Sequence, residues 1–311
     1  MSRMSFNIAA HSKHLYQPID NIMNNDTSIR KLPANSQGKD YIVGDLHGCF
    51  SLLERLLNAV QFDKSRDRLF SVGDLIDRGP ESLRCLQLLE EPWFFAVRGN
   101  HETMMMEFFL PYLINGKLKQ LEDVNGIGFL DYGGNWVRAY YQADQQCMSA
   151  EFDRGLALIR EMPLIYSVGE GTNRFHVIHA ELISTNYESL EKVAWLDSDI
   201  DRWYTEQSIP PEVELSLLWG RTLMLKRLNS PKVRRGLSTT FCGHTYATSP
   251  SQLLSHLCID TGAYVSLNLD EYNDEDEDCF EFGLTLFDVQ TSRWVSASYQ
   301  REELVWGHHS A

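Results

Sequence analysis

At 311 residues, the chain is long enough to bury a sizeable core in one large domain or two modest ones. Its formal net charge of −15, from 28 basic and 43 acidic residues, argues against nucleic-acid binding, because that binding depends on Lys and Arg that neutralise phosphates. No apolar run approaches the roughly 20 residues that cross a bilayer, and no apolar signal-peptide segment is present, which favours a cytoplasmic protein with no membrane partner.

The first 38 residues are polar and irregular, and we expect them to form an extension to the domain. After them, short apolar runs alternate with stretches of leucine at helical spacing. The runs cover residues 41–43, 69–72 and 94–97, and the helical stretches cover residues 52–60 and 83–89. Short strands that alternate with helices indicate βαβ units and a sheet that begins parallel. The pattern therefore predicts an α/β domain over residues 39–300.

The second half of the chain contains a predicted insertion, further strands and two surface segments. Residues 103–165 are predicted to form a mainly helical insertion, and residues 282–299 a β-hairpin. Three more short strands are predicted at 175–178, 240–242 and 257–259. The acidic stretch 269–279 is expected to be a solvated loop, and residues 301–311 a C-terminal tail. The sequence has no internal repeat and no Pro-rich linker, so a single domain is expected.

Polar residues, most of them next to a glycine, follow the predicted strands. The sequences are GDLHG at 44–48, GDLIDRG at 73–79, GNHE at 99–102, HAE at 179–181 and GHT at 243–245. In open α/β sheets, sites form beyond the carboxyl ends of the strands, so these stretches are expected to converge. Several carboxylates cannot all stay ionised in a confined space without compensation, which a pair of divalent cations supplies. Mixed carboxylate and imidazole donors suit Mn, Fe or Zn better than Ca.

These stretches, in this order, resemble the phosphoprotein phosphatase (PPP) branch of the metallophosphoesterases, particularly its bacterial and phage lambda forms. The likeness runs from residue 41 to residue 287, is densest at 41–106, and returns in NWV, MPLIYSV, LLWGR, FCGHT and CIDTGA. The resemblance implies a calcineurin-like metallophosphoesterase fold, a central β-sandwich of mixed sheets flanked by helices. It also implies a metal-dependent phosphoric monoester hydrolase, most simply a serine/threonine protein phosphatase.

The resemblance further implies a site for two divalent metal ions. Three ligands would hold the first ion: Asp45, His47 and Asp74. Asp74 would bridge to the second ion, which three further ligands complete: Asn100, His179 and His244. Mn is the expected metal, with Fe or Zn as alternatives. In the implied mechanism, two such ions activate a hydroxide for direct in-line attack on phosphorus, without a phospho-enzyme intermediate.

Four further residues are implied to act on the phosphate group. His101 matches the general acid that protonates the departing oxygen, and Asp77 matches the carboxylate that orients this imidazole. Arg78 and Arg221 match a clamp on the phosphate oxygens, since a guanidinium group offers paired hydrogen bonds. The implied substrates are phosphorylated proteins or peptides and small phosphoesters, bound in a locally positive pocket of an acidic protein.

Two other functions stay open. Dinucleoside tetraphosphate hydrolases share the fold and the first metal motif, but they typically lack the acid before RG, which is Asp77 here. A phosphatase-like scaffold that only binds partners usually loses metal ligands or the acid histidine, whereas every matching residue is present in this chain. The family pattern departs at Tyr246, which follows GHT where proline is expected, and over residues 107–160. Both departures concern substrate preference.

Two nearby patterns are rejected as catalytic. In FHVIHA, alternate side chains of a strand point to opposite faces, so His176 and His179 are not expected to share a face. His179 lies at the strand end, and His176 is expected to pack or to cap. CFSLLER has the C-x5-R spacing of cysteine-dependent phosphatases, but its middle fits an amphipathic helix, so Cys49 is not expected to be a nucleophile.

Overall fold

The computed structural model describes residues 28–118, 128–185, 192–226, 235–267 and 281–310. The strands, in chain order, are β1 (Ile29–Leu32), β2 (Asp40–Val43), β3 (Arg68–Ser71), β4 (Phe94–Ala96), β5 (Tyr141–Gln142), β6 (Cys147–Met148), β7 (Ile165–Val168), β8 (Phe175–Val177), β9 (Ile183–Thr185), β10 (Lys192–Ala194), β11 (Thr239–Cys242), β12 (Ser251–Leu253), β13 (His256–Cys258), β14 (Leu284–Asp288), β15 (Arg293–Ser298) and β16 (Arg301–His308). The α-helices are α1 (Phe50–Ala59), α2 (Ser82–Gln87), α3 (Asn100–Phe108), α4 (Leu110–Asn115), α5 (Ala150–Ile159), α6 (Asp197–Glu206), α7 (Pro211–Trp219) and α8 (Thr222–Lys226).

Two six-stranded mixed sheets form the centre of the fold. The first sheet has the strand order β1-β7-β8-β11-β13-β12, and the second has the order β16-β15-β14-β2-β3-β4. In the second sheet β2, β3 and β4 are parallel neighbours, as the alternation of strands and helices predicts. In the first sheet β8, β11 and β13 are parallel neighbours. Parallel strands place their carboxyl ends at one edge of each sheet.

A core rich in aromatic rings lies between the two sheets. Phe70 and Phe287 of the second sheet pack with Phe175 and Phe241 of the first. The ring centroids of Phe70 and Phe175 are 5.8 Å apart, and those of Phe241 and Phe287 are 5.3 Å apart. Because large side chains from both sheets meet there, the sheets form a face-to-face sandwich.

Helices cover the outer faces of both sheets. On the second sheet, Leu52 and Leu56 of α1 recur at helical spacing and pack in one cluster with Leu286 of β14. On the first sheet, Trp203 of α6 packs in a cluster with Ile165 of β7. The predicted β-sandwich of mixed sheets flanked by helices is therefore confirmed.

The structure differs from the sequence prediction at both ends of the domain. Ile29–Leu32 falls in the stretch predicted as an extension, yet it pairs in parallel with Ile165–Val168 at an edge of the first sheet. Arg301–His308 falls in the predicted tail, yet it pairs antiparallel with Arg293–Ser298 at an edge of the second sheet. Many side chains of these two edge strands are exposed or only half-buried, so their composition resembles that of a surface segment.

The described part of the predicted insertion is mainly helical. It contains most of α3, the helices α4 and α5, and a 3-10 helix at Gly134–Tyr140. It also contains the two-stranded ribbon of β5 and β6 and the first residue of β7, which joins the first sheet. The acidic loop predicted at 269–279 lies outside the described residues. Within the described ranges, none of the helices combines the length and the apolar character that crossing a bilayer demands.

Candidate active site and metal centre

The carboxyl ends of strands from both sheets meet at one edge of the sandwich. After β8, His179 Nδ1 lies 2.8 Å from the carbonyl oxygen of Val72, which follows β3. After β11, the backbone N–H of His244 donates to the Asp45 carboxylate, which follows β2, over distances of 3.1 and 3.3 Å. These contacts join the two sheets at the edge where the sequence predicts a site.

Asp74 lies at the centre of the predicted metal ligands. Its Oδ2 is 3.6 Å from His47 Nε2 and 3.6 Å from His179 Nε2. Two groups of potential ligands share this carboxylate: one contains His47, Asp74 and His101, and the other contains Asp74, His179 and His244. Within each group the ligand atoms lie within 4.8 Å of one another, and all of these side chains are buried. One carboxylate shared by two groups has the position of a bridging ligand.

The remaining two predicted ligands, Asp45 and Asn100, lie beside these groups. Asn100 Oδ1 is 2.9 Å from His179 Nε2. The pKa of Asp45 is raised, first by burial and then by the nearby carboxylates of Asp260 and Asp74. All six residues predicted as ligands therefore come to one place.

Hydrogen bonds on the far side of the rings orient two of the imidazoles predicted as ligands. His47 Nδ1 lies 2.9 Å from the carbonyl oxygen of Ile76, and His179 Nδ1 makes the corresponding contact described above. A carbonyl oxygen can only accept, so Nδ1 carries the proton and leaves the Nε2 lone pair on the side of Asp74. His244 is turned the other way, with its Nδ1 3.1 Å from His179 Nε2.

Burial controls the charge of these ligands. It lowers the pKa of His47, His179 and His244 below the ordinary imidazole value, and for His47 the positive charge of Arg78 adds to this effect. Neutral imidazoles have a lone pair to offer, which metal ligation requires. Burial opposes ionisation of Asp74, but attraction between this carboxylate and the protonated forms of the surrounding imidazoles lowers its pKa.

The donor set fits two divalent cations. A Cβ on Gly99 would overlap the Asp74 carboxylate, and one on Gly243 would overlap the Asp45 carboxylate, so glycine allows the backbone to approach the ligands closely. His244 Nε2 is buried and has no hydrogen-bond partner among the described residues. Divalent cations bound to these side chains would offset the carboxylate charge, acidify a water molecule and polarise a phosphate group.

The backbone of the site is strained. Ten non-glycine residues in the described part of the chain have positive φ, and half of them are predicted site residues. These are His47 (φ 41°), Asp74 (φ 49°), Asp77 (φ 72°), Arg78 (φ 71°) and His244 (φ 68°). Such conformations cost about 1–3 kcal/mol each and cluster at functional sites. Backbone strain is independent of the sequence motifs, and it occurs at residues that the motifs also identify.

Glu102, which the sequence analysis did not assign to a role, supports the strained loop around Asp74. Its buried carboxylate accepts hydrogen bonds from the backbone N–H groups of Asp74, Leu75 and Gly99, at 3.0, 2.7 and 2.8 Å. Burial raises the pKa of Glu102 to about 7. The sequence feature that could have identified Glu102 is its position at the end of the GNHE stretch.

His101 and Asp77 form a buried pair beside Asp74. His101 Nδ1 is 2.7 Å from Asp77 Oδ2, and Trp136, of the NWV stretch, donates its Nε1–H to Asp77 Oδ1 at 2.7 Å. Burial raises the pKa of Asp77, although both hydrogen bonds favour its ionised form. His101 Nε2 lies 3.0 Å from an Arg78 terminal nitrogen and 4.0 Å from Asp74 Oδ2. An imidazole held at Nδ1 in this way can deliver a proton from Nε2.

Arg78 and Arg221 are exposed side chains that reach this cluster from two different loops. Arg78, after β3, places its other terminal nitrogen 2.8 Å from His47 Nε2. Arg221, between α7 and α8, donates to the carbonyl oxygen of His244 at 2.7 Å and to Thr245 Oγ1 at 3.1 Å. Two guanidinium groups beside buried imidazoles and carboxylates can bind the oxygens of a phosphate group.

Two further residues, in or beside the CIDTGA stretch, belong to the site although the sequence analysis did not single them out. The Tyr264 ring centroid is 4.2 Å from the Arg78 guanidinium carbon and 5.1 Å from the His47 ring centroid. Asp260 is buried, and burial raises its pKa to about 6. Asp260 directly follows the predicted strand 257–259, which is the same signal that identified the other strand ends.

The two patterns rejected in the sequence lie in other surroundings. His176 Nε2 is 2.9 Å from Asp197 Oδ1. Cys49 is buried directly before α1, and burial raises the pKa of its thiol to about 12, which disfavours the thiolate. Arg55, the arginine of the C-x5-R pattern, donates to the carbonyl oxygen of Ser298 at 2.8 Å and so faces the second sheet.

Comparisons with known proteins agree with this geometry. The calcineurin-like phosphoesterase family matches residues 41–247. The chain is 31% identical to serine/threonine-protein phosphatase 2 of Salmonella typhimurium over 230 residues, which cover 74% of this chain and 89% of that protein. It is 35% identical to a symmetrical bis(5'-nucleosyl)-tetraphosphatase of Shewanella over 125 residues, 40% of each chain. A solved mutant of a cold-active protein tyrosine phosphatase aligns with a TM-score of 0.51 at 13% identity, covering 91% of this chain and 84% of that one, which concerns the fold alone.

Proposed function

The chain belongs to the calcineurin-like phosphoesterase family, and from that premise we propose that it is a metal-dependent serine/threonine protein phosphatase. Its substrates are phosphorylated proteins or peptides, and it also accepts small phosphoesters. The name of the Salmonella relative, to which most of this chain aligns, supports the choice of protein substrates. A cytoplasmic location stays a prediction.

One observation carries the proposal. The Asp74 carboxylate belongs to two groups of buried potential ligands at once, and the His101–Asp77 pair lies directly beside it. Phosphoester hydrolysis requires two cation sites that share a ligand. It also requires a neighbouring imidazole whose Nδ1 contacts a carboxylate. A scaffold that only bound partners would not need these groups to be buried together.

We assign the ligands as the sequence predicts. The family uses a dinuclear metal site. Six residues would hold the ions in this assignment: Asp45, His47, Asp74, Asn100, His179 and His244. Manganese suits the mixed oxygen and nitrogen donors, and iron or zinc is an alternative. Ions held there would supply an acidified water molecule and would polarise the phosphate.

The protein side chains perform the remaining steps. Arg78 and Arg221 bind the non-bridging oxygens of the phosphate and offset the negative charge that they carry. Hydrolysis joins the oxygen of water to phosphorus and breaks the bond from phosphorus to the ester oxygen. The departing oxygen takes a proton from His101 Nε2, and Asp77 stabilises the imidazolium before and during this transfer. The products are an alcohol and inorganic phosphate.

A dinucleoside tetraphosphate hydrolase is the second candidate. The 35% identity to the Shewanella tetraphosphatase over 125 residues favours it. Against it stands Asp77, an acid that this group typically lacks and that here contacts His101. A comparison of substrates decides between the two.

The test begins with metal removal. We expect protein stripped by a chelator to lose hydrolysis of p-nitrophenyl phosphate and to regain it when Mn²⁺ is added, because the six ligands cannot perform the chemistry alone. Phosphoserine and phosphothreonine peptides are then compared with a dinucleoside tetraphosphate at the same metal loading. Higher kcat/KM on the peptides is expected. If Mn²⁺, Fe²⁺ and Zn²⁺ all fail to restore activity, the result would support a scaffold that only binds partners. If the dinucleoside tetraphosphate is the preferred substrate, the result would support the second candidate.

A further inference from the structure

A chain of hydrogen bonds leads from His101 to a tryptophan of the insertion. His101 Nδ1 lies 2.7 Å from Asp77 Oδ2, and the indole N–H of Trp136 donates to Asp77 Oδ1 at 2.7 Å. Asp77 and His101 are both buried, so these contacts are shielded from water. An ionised carboxylate only accepts hydrogen bonds, so Nδ1 carries a proton and Nε2 is left on the side of Asp74. One carboxylate thus receives donors from two distant parts of the chain.

The aspartate side chain does not by itself fix the direction of its carboxylate. Rotation about the Cβ–Cγ bond has broad minima, so the carboxylate turns easily unless both of its oxygens are bound. A hydrogen bond from His101 to Oδ2 leaves this rotation open, because the imidazole ring can follow the oxygen. The bond from Trp136 to Oδ1 opposes it. The direction of the His101 ring therefore depends on the indole as well as on Asp77.

Neighbouring aromatic rings hold the indole of Trp136 in place. Trp136 lies in the 3-10 helix Gly134–Tyr140, and its ring centroid is 5.8 Å from that of Tyr140 and 5.9 Å from that of Phe152 in α5. The side chain is also half-buried. A ring packed in this way has little rotational freedom left to lose, so its N–H binds Asp77 at little cost in conformational entropy.

The turn before Trp136 also holds the backbone beside Asp77. The carbonyl oxygen of Gly133 accepts a hydrogen bond from the backbone N–H of Arg78 at 3.2 Å, and a Cβ on Gly133 would overlap the Arg78 backbone. Asp77 and Arg78 are consecutive residues with positive φ, a strained conformation that surrounding contacts must maintain. The insertion therefore contacts this strained pair twice, once at its backbone and once at the Asp77 carboxylate.

We propose that Trp136 is a positioning residue of the hydrolysis: its indole N–H fixes the Asp77 carboxylate, and through it the His101 imidazole, in the orientation from which Nε2 gives a proton to the departing oxygen. The inference rests on the proposed function, because it concerns the acid step at the same site. It also gives a role to NWV at 135–137, a stretch of the family likeness to which the implied chemistry assigns none.

The acid step distinguishes this role from a purely structural one. A phosphoserine side chain departs as an alkoxide, a poor leaving group, so its departure depends on the proton from His101. p-Nitrophenolate departs without help from an acid. A misdirected His101 therefore slows the first substrate and hardly affects the second, whereas a general distortion of the site slows both. The phosphate is bound by Arg78 and Arg221, so KM is expected to stay the same.

The experiment separates the indole N–H from the indole ring at matched Mn²⁺ loading. We expect Trp136→Phe, which keeps a ring but has no N–H, to lower kcat for a phosphoserine peptide about tenfold and kcat for p-nitrophenyl phosphate less than about twofold. Trp136→His places a ring N–H at the position of the indole Nε1, and should keep kcat for the peptide within about threefold of the wild type. KM and metal content should not change in either variant.

Two controls complete the design. Trp203→Phe removes an indole that packs on the Trp195 ring, at 5.1 Å between centroids, and whose buried Nε1 has no hydrogen-bond partner among the described residues. Its kcat is expected to match that of the wild type on both substrates. In a His101→Asn background, Trp136→Phe should lower kcat by a further factor of less than about two, because the indole acts through His101.

Three results would overturn the inference while the proposed function survives. They are equal losses on the two substrates in Trp136→Phe, a loss of metal from Trp136→Phe, and a Trp136→His variant that is as slow as Trp136→Phe. Unchanged thermal midpoints establish that the variants are folded.

The proposed function can fail separately. If the wild-type protein hydrolyses p-nitrophenyl phosphate but not the peptide, the choice of protein substrates is wrong. The inference is then decided by phenyl phosphate against p-nitrophenyl phosphate, since phenolate is the poorer leaving group. A larger loss on phenyl phosphate in Trp136→Phe supports the inference, and an equal loss overturns it. If the protein hydrolyses none of these esters, the proposed function and the inference fail together.

Discussion

Single residues of the site store conformational strain that the surrounding structure maintains. Asp74 and His47 adopt positive φ, and glycines beside the ligands leave space that any Cβ would fill. Strain of this kind persists only where buried contacts over-determine the backbone. Here Glu102 supplies such contacts by accepting hydrogen bonds from two backbone N–H groups of the Asp74 loop and from that of Gly99 before α3. The cost is local, and it fixes the backbone that carries the predicted ligands.

The glycine before His244 offers a direct test of this crowding. We expect Gly243→Ala to displace the Asp45 carboxylate, because the added methyl group would overlap it, and to lower both metal content and activity. Gly155→Ala is the matched control, since its methyl group would be tightly placed only against Leu86 Cδ1, at 3.0 Å, the end of a flexible side chain, and lies at ordinary contact distance from Leu86 Cβ and Leu83. Metal content after dialysis is measured by atomic absorption. Full metal occupancy in Gly243→Ala would contradict the close approach described here.

The role of His101 is tested by separating chemistry from metal binding. We expect His101→Asn to lower kcat about 10²–10⁴-fold, the usual contribution of a general acid, while metal content stays unchanged. The loss should be smaller for p-nitrophenyl phosphate than for phosphoserine peptides, because p-nitrophenolate departs without help from an acid. His308→Asn, at an exposed position of β16, is the control. Loss of metal in His101→Asn would instead make this residue a ligand, as its membership of a ligand group allows.

At the scale of the element, a buried carboxylate positions the helix that follows Arg221. Glu181 accepts hydrogen bonds from the backbone N–H groups of Thr222 and Leu223 at 2.9 and 2.7 Å, at the first turn of α8. A Cβ on Gly220 would overlap the Glu181 side chain, so the backbone on the other side of Arg221 is also confined. The strand end that provides His179 is thereby joined to the loop that provides the guanidinium group.

This connection predicts the behaviour of Glu181→Gln. The amide keeps the shape but loses the charge and one of the two acceptor oxygens, so we expect Arg221 to be held less firmly. Inhibition by inorganic phosphate should weaken about tenfold, while metal content stays unchanged. In an Arg221→Ala background the same substitution should add no further effect, which distinguishes positioning from a general loss of stability. Additive losses in the double variant would show that Glu181 does not act through Arg221.

At the scale of the whole molecule, polar contacts outside the site tie helix α6 to the first sheet. His176 Nε2 of β8 lies 2.9 Å from Asp197 Oδ1, and Arg174 donates to both carboxylate oxygens of Asp201 at 2.8 and 2.9 Å. Lys31 of β1 donates to the same Asp201 at 2.6 Å. The edge strand β1 is therefore attached to the domain by charged groups as well as by its backbone pairing.

These contacts predict how stability depends on pH. Burial lowers the pKa of His176, although Asp197 opposes this effect, and Arg174 and Asp201 are the other charges near it. Below the unfolded imidazole pKa of about 6.5, the unfolded chain binds a proton that the folded chain does not. The free energy of unfolding therefore decreases as the pH is lowered. We expect the free energy of unfolding, measured by urea denaturation, to decrease more steeply from about pH 7 to pH 5 for the wild type than for His176→Gln. The two slopes should differ by at most about 1.4 kcal/mol per pH unit. Parallel slopes would contradict this prediction.

Much of the fold and of the site follows from local sequence. The apolar runs before Asp45, Asp74 and His179 are short and end in polar residues, and both the strands and the residues that follow them could be predicted for this reason. The choice of His179 over His176 followed from the alternation of side chains along a strand. The local sequence is sufficient for these predictions because each of them depends only on residues that are close together along the chain.

Other features depend on contacts between distant parts of the chain. β1 has only two apolar residues, Ile29 and Leu32, and it is a strand because Ile165–Val168 supplies its backbone partners. Tyr264 and Tyr246 become one surface with Arg78 only because the second sheet brings the loop after β3 to the end of the first. The sequence by itself determined which polar side chains follow the strands, since each motif is local. The tertiary structure alone decided which side chains surround them, because burial, strain and approach distance arise only when the two sheets pack.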